Sequence, residues 1–282
     1  GRLVKLGIWL RVARYDAIAL FHHLSTGYGA IKWRLLTAAT GAPLVAGLED
    51  GRHRSWLTCP VPDEGFGRRH EVEYALAVAQ ALGAQTEDIS LILPPLTDEE
   101  ERVTTLVGKG QTPYLVIHAG SGGYSQARRW DPLKFAAVAD TLADRLNVKV
   151  VIVGTSGDDG DRVVKAMRTP ALNLQGQTDL TDLMAVLRRC KLFIGADSGV
   201  MHLAAAVGAP VVAIFGPSNH RAWAPWAPSE RVRIVRLGLP CSPCSYIGTR
   251  VGAREGCFQR TCMAELEPEP VIAAAMELWE DD

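Results

Sequence analysis

Long hydrophobic runs are missing from this chain, and so is a charge surplus of either sign. No apolar stretch approaches the roughly 20 residues that span a bilayer as a helix, so none is expected to cross a membrane. The 282 residues carry 30 basic and 31 acidic side chains, a formal net charge of -1. Duplex-binding proteins need a basic surplus to neutralise phosphates, so nucleic acid is not an expected partner. Arg231, Arg233 and Arg236 still recur as on one side of a strand. A solvated edge strand is the plain explanation, with a phosphate or membrane patch as the alternative. Also absent are an export signal, a fixed-period repeat, a low-complexity segment, and the G-x-G-x-x-G of dinucleotide dehydrogenases. The chain opens on Gly1-Arg2 rather than methionine, and a preceding segment is expected. Six cysteines without an export signal fit a reduced, cytoplasmic setting better than a disulfide scaffold.

What is present is an ordinary globular composition, 48% hydrophobic and 22% charged, long enough for one large or two medium domains. Apolar residues at helical spacing over 3–12 precede a short buried strand, Ala17 to Phe21. The polar loop His22-His23-Leu24-Ser25-Thr26-Gly27 follows, then a helix from Ala30 to Ala39. Residues 44–67 are rich in Gly, Pro, Asp and Arg and are expected to be mostly irregular. A helix over 69–82, a strand from Ile89 to Pro95 and a helix begun by Thr97-Asp98-Glu99-Glu100 come next. Gly108-Lys109-Gly110 is the expected domain boundary. It gives a first domain of 1–108, a second of 109–265, and a final helix in 266–282 that packs back on the first. Beyond it, four or five strand-helix repeats in about 110 residues predict a doubly wound, Rossmann-like sheet.

Ligands of such sheets bind beyond the carboxyl ends of the strands, where helix N-termini offer unpaired N–H groups and partial positive charge. The strongest candidate loop is Asp197-Ser198-Gly199, with His202 one turn into the following helix. Ser198 and the N–H groups of Gly199 and Val200 are suited to a diphosphate. Alternatively, Asp197 merely caps a helix and His202 is a satisfied core histidine. Gly120-Ser121-Gly122-Gly123, followed by Arg128 and Arg129, supplies backbone donors and then guanidinium groups. The Gly154–Asp158 loop puts a carboxylate where a ribose diol could be held, and Gly176 to Leu180, with Thr178, could flank a base. Either is equally well a plain turn with an N-cap. Phe215-Gly216-Pro217 reaches the same sheet edge.

Together these segments resemble glycosyltransferase family 9, the lipopolysaccharide heptosyltransferases. The resemblance rests on Asp197-Ser198-Gly199 with His202-Leu203-Ala204-Ala205-Ala206, Gly208-Ala209-Pro210, Phe215-Gly216-Pro217, and His118-Ala119-Gly120-Ser121 through Arg128-Arg129-Trp130. Cys241-Ser242-Pro243-Cys244 and Cys262-Met263 fit it as well. It implies an α/β fold of GT-B type, two Rossmann-like domains facing across a cleft. The second would bind a nucleotide-sugar donor, typically ADP-heptose, and the first a lipid-linked glycan acceptor in the lipopolysaccharide core. It further implies no metal and no cofactor, a cytoplasmic enzyme with peripheral contact at the inner membrane, and inversion of the anomeric centre. Carried over, Arg128 matches the family's phosphate-contacting cation, Asp158 the acid that holds the ribose, and Thr178 a position near the adenine. Asp197, Ser198, Gly199 and His202 would surround the diphosphate and sugar, with Gly120, Ser121 and Gly216 beside them. The family's opening strand and glycine-rich loop, which carry the presumed catalytic aspartate, lie before the segment matching Tyr15-Asp16. No catalytic base is therefore named here. His22 and His23, which follow a strand, are the acceptor-side candidates.

Cys241, Cys244, Cys257 and Cys262 have a spacing compatible with a structural zinc site. Packed thiols or a disulfide are the alternatives. Rival functions are another GT-B activity, such as nucleotide-sugar epimerisation or transfer of a different sugar, and nucleotide-sugar binding without catalysis.

Overall fold

The computed structural model describes residues 1–51, 56–109, 112–123 and 125–280. The chain forms two compact units. Gly1–Ile89, Arg221–Trp223 and Ser245–Gly252 make the first; Ser90–His220, Ala224–Cys244 and Ala253–Asp282 make the second.

In the first unit α1 (Arg2–Val12) leads to β1 (Ala17–Leu20), α2 (Gly27–Thr40), β2 (Leu44–Glu49), β3 (Cys59–Pro62) and α3 (Glu71–Gln80). The strands lie side by side in chain order, all parallel. Thr26 caps α2 by accepting the N–H of Gly29, and Gly41 ends it in the left-handed conformation. Helix α3 starts on a capping box between His70 and Glu73 and buries Tyr74 and Val78 against Ala46, Leu48 and Val61. Residues 44–67, expected to be irregular, thus contain two strands (52–55 lie outside the described residues). Strand β3 keeps two prolines because it is an edge strand, where a missing N–H costs no ladder bond.

The second unit runs through α4 (Glu99–Val107), β4 (Tyr114–His118), α5 (Pro132–Leu146), β5 (Lys149–Val153), α6 (Gly160–Ala166), β6 (Ala171–Asn173), α7 (Leu180–Arg189), β7 (Leu192–Ala196), α8 (Gly199–Ala206) and β8 (Val211–Ile214). The short α9 (His220–Trp223) follows, then β9 (Val232–Val235), the hairpin β10 (Ser245–Ile247) and β11 (Arg250–Gly252), α10 (Thr261–Ala264) and α11 (Pro268–Glu280). The hairpin belongs to the first unit, where the N–H of Phe66 donates to the carbonyl of Gly248. The second unit's sheet has the order β6-β5-β4-β7-β8-β9, and every neighbouring pair is parallel. Order therefore reverses between β4 and β7, which makes their carboxyl ends the topological switch point, where open α/β sheets hold ligands. Strands β4, β7 and β8 are buried along their whole length, as parallel strands covered on both faces must be. Helix α5 begins with Asp131 accepting the N–H of Leu133 and Pro132 in its first turn. It packs Phe135, Val138 and Leu142 into the core, each worth about 1.5–3 kcal/mol of burial.

Two boundary expectations change. Helix α4 lies in the second unit, so the division falls at Ile89 rather than Gly108 (Gly110 lies outside the described residues). Its charges explain this: Arg102 pairs with Asp182 of α7 and Glu99 with Arg189. Helix α11, expected to return to the first domain, puts Val271, Ala275 and Leu278 into the second unit's core. Ile89 to Pro95 form no strand. Strand β9 is the sheet's edge, as the arginine spacing implied, and the arginines in and beside it are used locally: Arg231 donates to the carbonyl of Gly208, Arg236 to that of Ser242, and Arg233 pairs with Glu277.

Candidate functional site

At the switch point the second unit holds a cavity of about 560 Å³, within the usual range for small-ligand sites. Its inner end is polar, formed by His118, Thr155, Asp158 and Ser198. The rest of its lining is largely aliphatic, with Leu180 and Leu183 of α7, Leu203 and Ala206 of α8, and Leu91 to Leu93 at the rim.

Each polar group is placed by a strand end. Ser198 follows β7 and is the N-cap of α8, its oxygen accepting the N–H of Met201 at 3.3 Å. Gly199 and Val200, the first residues of that helix, line the cavity. Their N–H groups have no intrahelical acceptor and carry the helix's positive end. Small side chains at 204 and 205 bury the same helix against the sheet. His202 lies on the cavity-facing side of α8, partly exposed.

The β4 loop is fastened from two directions. Arg128 donates to Asp197 Oδ2 at 3.1 Å and to the carbonyl of Ser121 at 3.0 Å. Arg129 donates to Ser121 Oγ, the carbonyl of Gly157, Asp158 Oδ1 and Asp159 Oδ2, tying this loop to the one after β5. Asp158 also accepts from the N–H and hydroxyl of Thr155 at 2.8 and 2.9 Å, and its Oδ2 lies 3.5 Å from His118 Nε2. The hydrogen-bonding His118, helped by Thr155, outweighs burial and holds the Asp158 carboxyl far below the usual carboxylate range. Gly120 is where this carboxylate rests: an added Cβ would lie 2.1 Å from Asp158 Oδ1.

Of the residues named from sequence, Asp158, Ser198, Gly199 and His202 line the cavity itself. Gly120, Ser121, Arg128 and Asp197 form the layer that supports it. Thr178 sits in the loop before α7, two residues from the lining Leu180. Gly216 packs on Met263 and Cys262, and its carbonyl accepts from the Ser242 hydroxyl. In the first unit His22 is exposed, but His23 is corrected to a core residue. Its Nδ1 is 2.9 Å from Asp63 and its Nε2 is 3.2 Å from Glu71, while its ring rests on Phe66 and Tyr74. Burial opposes its charge, yet the hydrogen bonds to the two carboxylates push its pKa up to about 9. A ring so enclosed has no nitrogen left for an acceptor. The four cysteines of the zinc reading lie near one another: burial, and after it the neighbouring thiols, push those of Cys244 and Cys262 up. Cys241, Cys244, Cys257 and Cys262 are free thiols, and among the described residues no cluster of His, Cys, Asp or Glu is arranged to hold a metal ion. Sequence reasoning quoted His118 only as part of the family-like segment and gave it no role, and it missed the Leu91 to Leu93 rim.

The model of glycosyltransferase family 9 (heptosyltransferase) matches residues 5–253. The chain belongs to that family. It is 31% identical over 239 residues to lipopolysaccharide heptosyltransferase 3 of Escherichia coli, covering 75% of this chain and 68% of that one. To lipooligosaccharide heptosyltransferase 2 of Haemophilus influenzae it is 27% identical over 220 residues, covering 72% of this chain and only 60% of the relative. In fold it resembles the solved Escherichia coli ADP-heptose lipopolysaccharide heptosyltransferase II, with a TM-score of 0.68 at 22% identity, covering 98% of this chain and 80% of that one. The fold is thus α/β with parallel sheets, of the GT-B class. No helix among the described residues is long and apolar enough to cross a membrane.

Proposed function

We propose that this family member transfers a heptose from ADP-heptose to a hydroxyl of a lipid-linked lipopolysaccharide core acceptor. The observation that carries the reading is the pairing, in one cavity, of a helix N-terminus with an aliphatic slot. The first turn of α8 suits a diphosphate. Leu180, Leu183, Leu203 and Ala206 offer apolar surface to a flat base. The relatives are lipopolysaccharide and lipooligosaccharide heptosyltransferases, which supports the sugar and the acceptor class.

Glycosyl transfer of this kind needs charge stabilisation where the leaving diphosphate develops it. The N–H groups of Gly199 and Val200 would provide it, with Arg128 as the nearby guanidinium held in place by Asp197. These donors are preorganised by the fold, so their alignment costs little at the moment of reaction. Asp158 and Thr178 would meet the nucleoside. A carboxylate acting on the acceptor hydroxyl completes the chemistry by general base catalysis. A lipid-linked acceptor would bring the enzyme into peripheral contact with the inner membrane.

Calorimetric titration with ADP, UDP and GDP, each with and without an attached sugar, tests this reading. Selective binding of ADP and ADP-heptose is expected. Preference for UDP or GDP would replace the donor, and turnover of donor with no acceptor present would favour an epimerase.

A further inference from the structure

We propose that His118 is the positioning residue of the donor site, turning the Ser198 hydroxyl inward so that the first turn of α8 meets the diphosphate with backbone N–H groups alone. The inference rests on the reading of this cavity as a nucleotide-sugar site.

His118 ends β4 at the switch point and is only 2% exposed. Its ring spans two other strand ends: Nε2 is 3.5 Å from Asp158 Oδ2, after β5, and Nδ1 is 3.2 Å from Ser198 Oγ, after β7. A carboxylate only accepts hydrogen bonds, so the nitrogen facing Asp158 carries the proton. In the neutral ring Nδ1 then presents a lone pair, and the hydrogen that fills it is that of the Ser198 hydroxyl. The Ser198 oxygen in turn accepts the N–H of Met201. Hydroxyl hydrogen and capping lone pair are therefore both engaged within the protein. What remains at the start of α8 for a bound anion is the pair of N–H groups at Gly199 and Val200, whose residues line the cavity.

The sequence makes room for the ring by withholding side chains. An added Cβ at Gly120 would come 2.7 Å from His118 Nε2, and one at Gly154 would come 3.3 Å from its Cδ2 and 3.0 Å from Asp158 Oδ2. The order Asp158, His118, Ser198 is also that of a nucleophile with its base and orienting acid. Ser198 is only 3% exposed and its oxygen caps α8, which suits holding rather than attack.

The test is a double-substitution cycle read by calorimetric ADP binding, with thermal melts to confirm folding. His118→Ala should weaken ADP binding about tenfold, the worth of one well-placed hydrogen bond. His118→Asn, whose Oδ1 can accept from Ser198, should recover most of that loss. Adding Ser198→Ala to His118→Ala should cost no more than the worse single change, because both act on one contact. If His118→Ala does not fold, His118→Gln, which cannot place an acceptor at the Nδ1 position, replaces it in the cycle. Equal affinity in wild type and the unfilled His118 variant, or losses that add, would overturn the role of His118 while leaving the donor site standing. Wild-type protein that binds none of ADP, UDP and GDP would instead remove the reading of the cavity, and this inference with it.

Discussion

Arg128 and Asp197 share a hydrogen bond of 3.1 Å that joins the loop after β4 to the loop after β7, across the point where strand order reverses. Both side chains are largely sheltered, at 15% and 6% exposure, so solvent screens the pair little. The carboxylate is thus engaged in aiming a guanidinium, and in the proposed donor site its effect on a diphosphate would pass through Arg128.

Asp197→Ala should weaken ADP binding about tenfold or more and lower stability by about 1–3 kcal/mol, because the guanidinium loses its partner in a sheltered site. Calorimetry and thermal melts on the same samples check both. Undiminished affinity in a folded variant would show that Arg128 does not need this carboxylate.

Gly120→Ala should be more disruptive than its size suggests. The new methyl would meet Asp158 Oδ1 and Cγ at 2.1 and 2.3 Å, and that carboxylate is held by Arg129 and Thr155 rather than free to swing. A stability loss of about 1–3 kcal/mol is expected from the overpacking. A melting temperature within a degree of wild type would mean that the β5 loop yields easily.

Alkaline pH should weaken the first unit. His23 is folded with a pKa of about 9 against an unperturbed 6.5, so its stabilising charge is fully present below about pH 6.5 and lost as pH rises through about 9. The full effect is on the order of 3 kcal/mol. Denaturant melts at pH 6 and pH 9.5 should differ accordingly in wild type and much less in His23→Gln. Identical pH slopes in the two proteins would exclude His23 as the source.

The second unit could be read from sequence nearly element by element, because its strands are unbroken apolar runs and its helices start on strong signals such as Asp131-Pro132 and Asp179. In the first unit α1, β1, α2 and α3 could be read, but β2 and β3 could not. Strand β2 has its short apolar run, Leu44 to Leu48, interrupted by Gly47 and set between turn-forming residues, and β3 is an edge strand with Pro60 and Pro62, so the stretch as a whole looks irregular. Ile89 to Pro95 erred the other way: its aliphatic side chains serve a cavity rim instead of a ladder. Of the cavity and the layer behind it, the residues named from sequence were those at strand-to-helix turns, where glycine and hydroxyl residues suit an anion. Arg128 and Asp197 were both found, but that they pair across 69 positions of sequence is a matter of tertiary geometry. His118 entered only within the family-like segment and was given no role, since a histidine at a strand end looks the same whether it is spare or central. The charge on His23 depends on Asp63 and Glu71, which lie 40 and 48 residues away.

Residues 221–223 and 245–252 leave the second unit's run of chain to join the first, where Tyr246 lays its ring against both Phe66 and Trp223. The first unit is consequently not a contiguous cassette. A recombinant chimera that imported residues 1–89 from another family member would pair a foreign Phe66 with the resident Tyr246 and Trp223. Successful domain exchange would have to transplant three separate stretches together. Drift at these three aromatic positions should for the same reason be correlated, since each is the wall against which another packs.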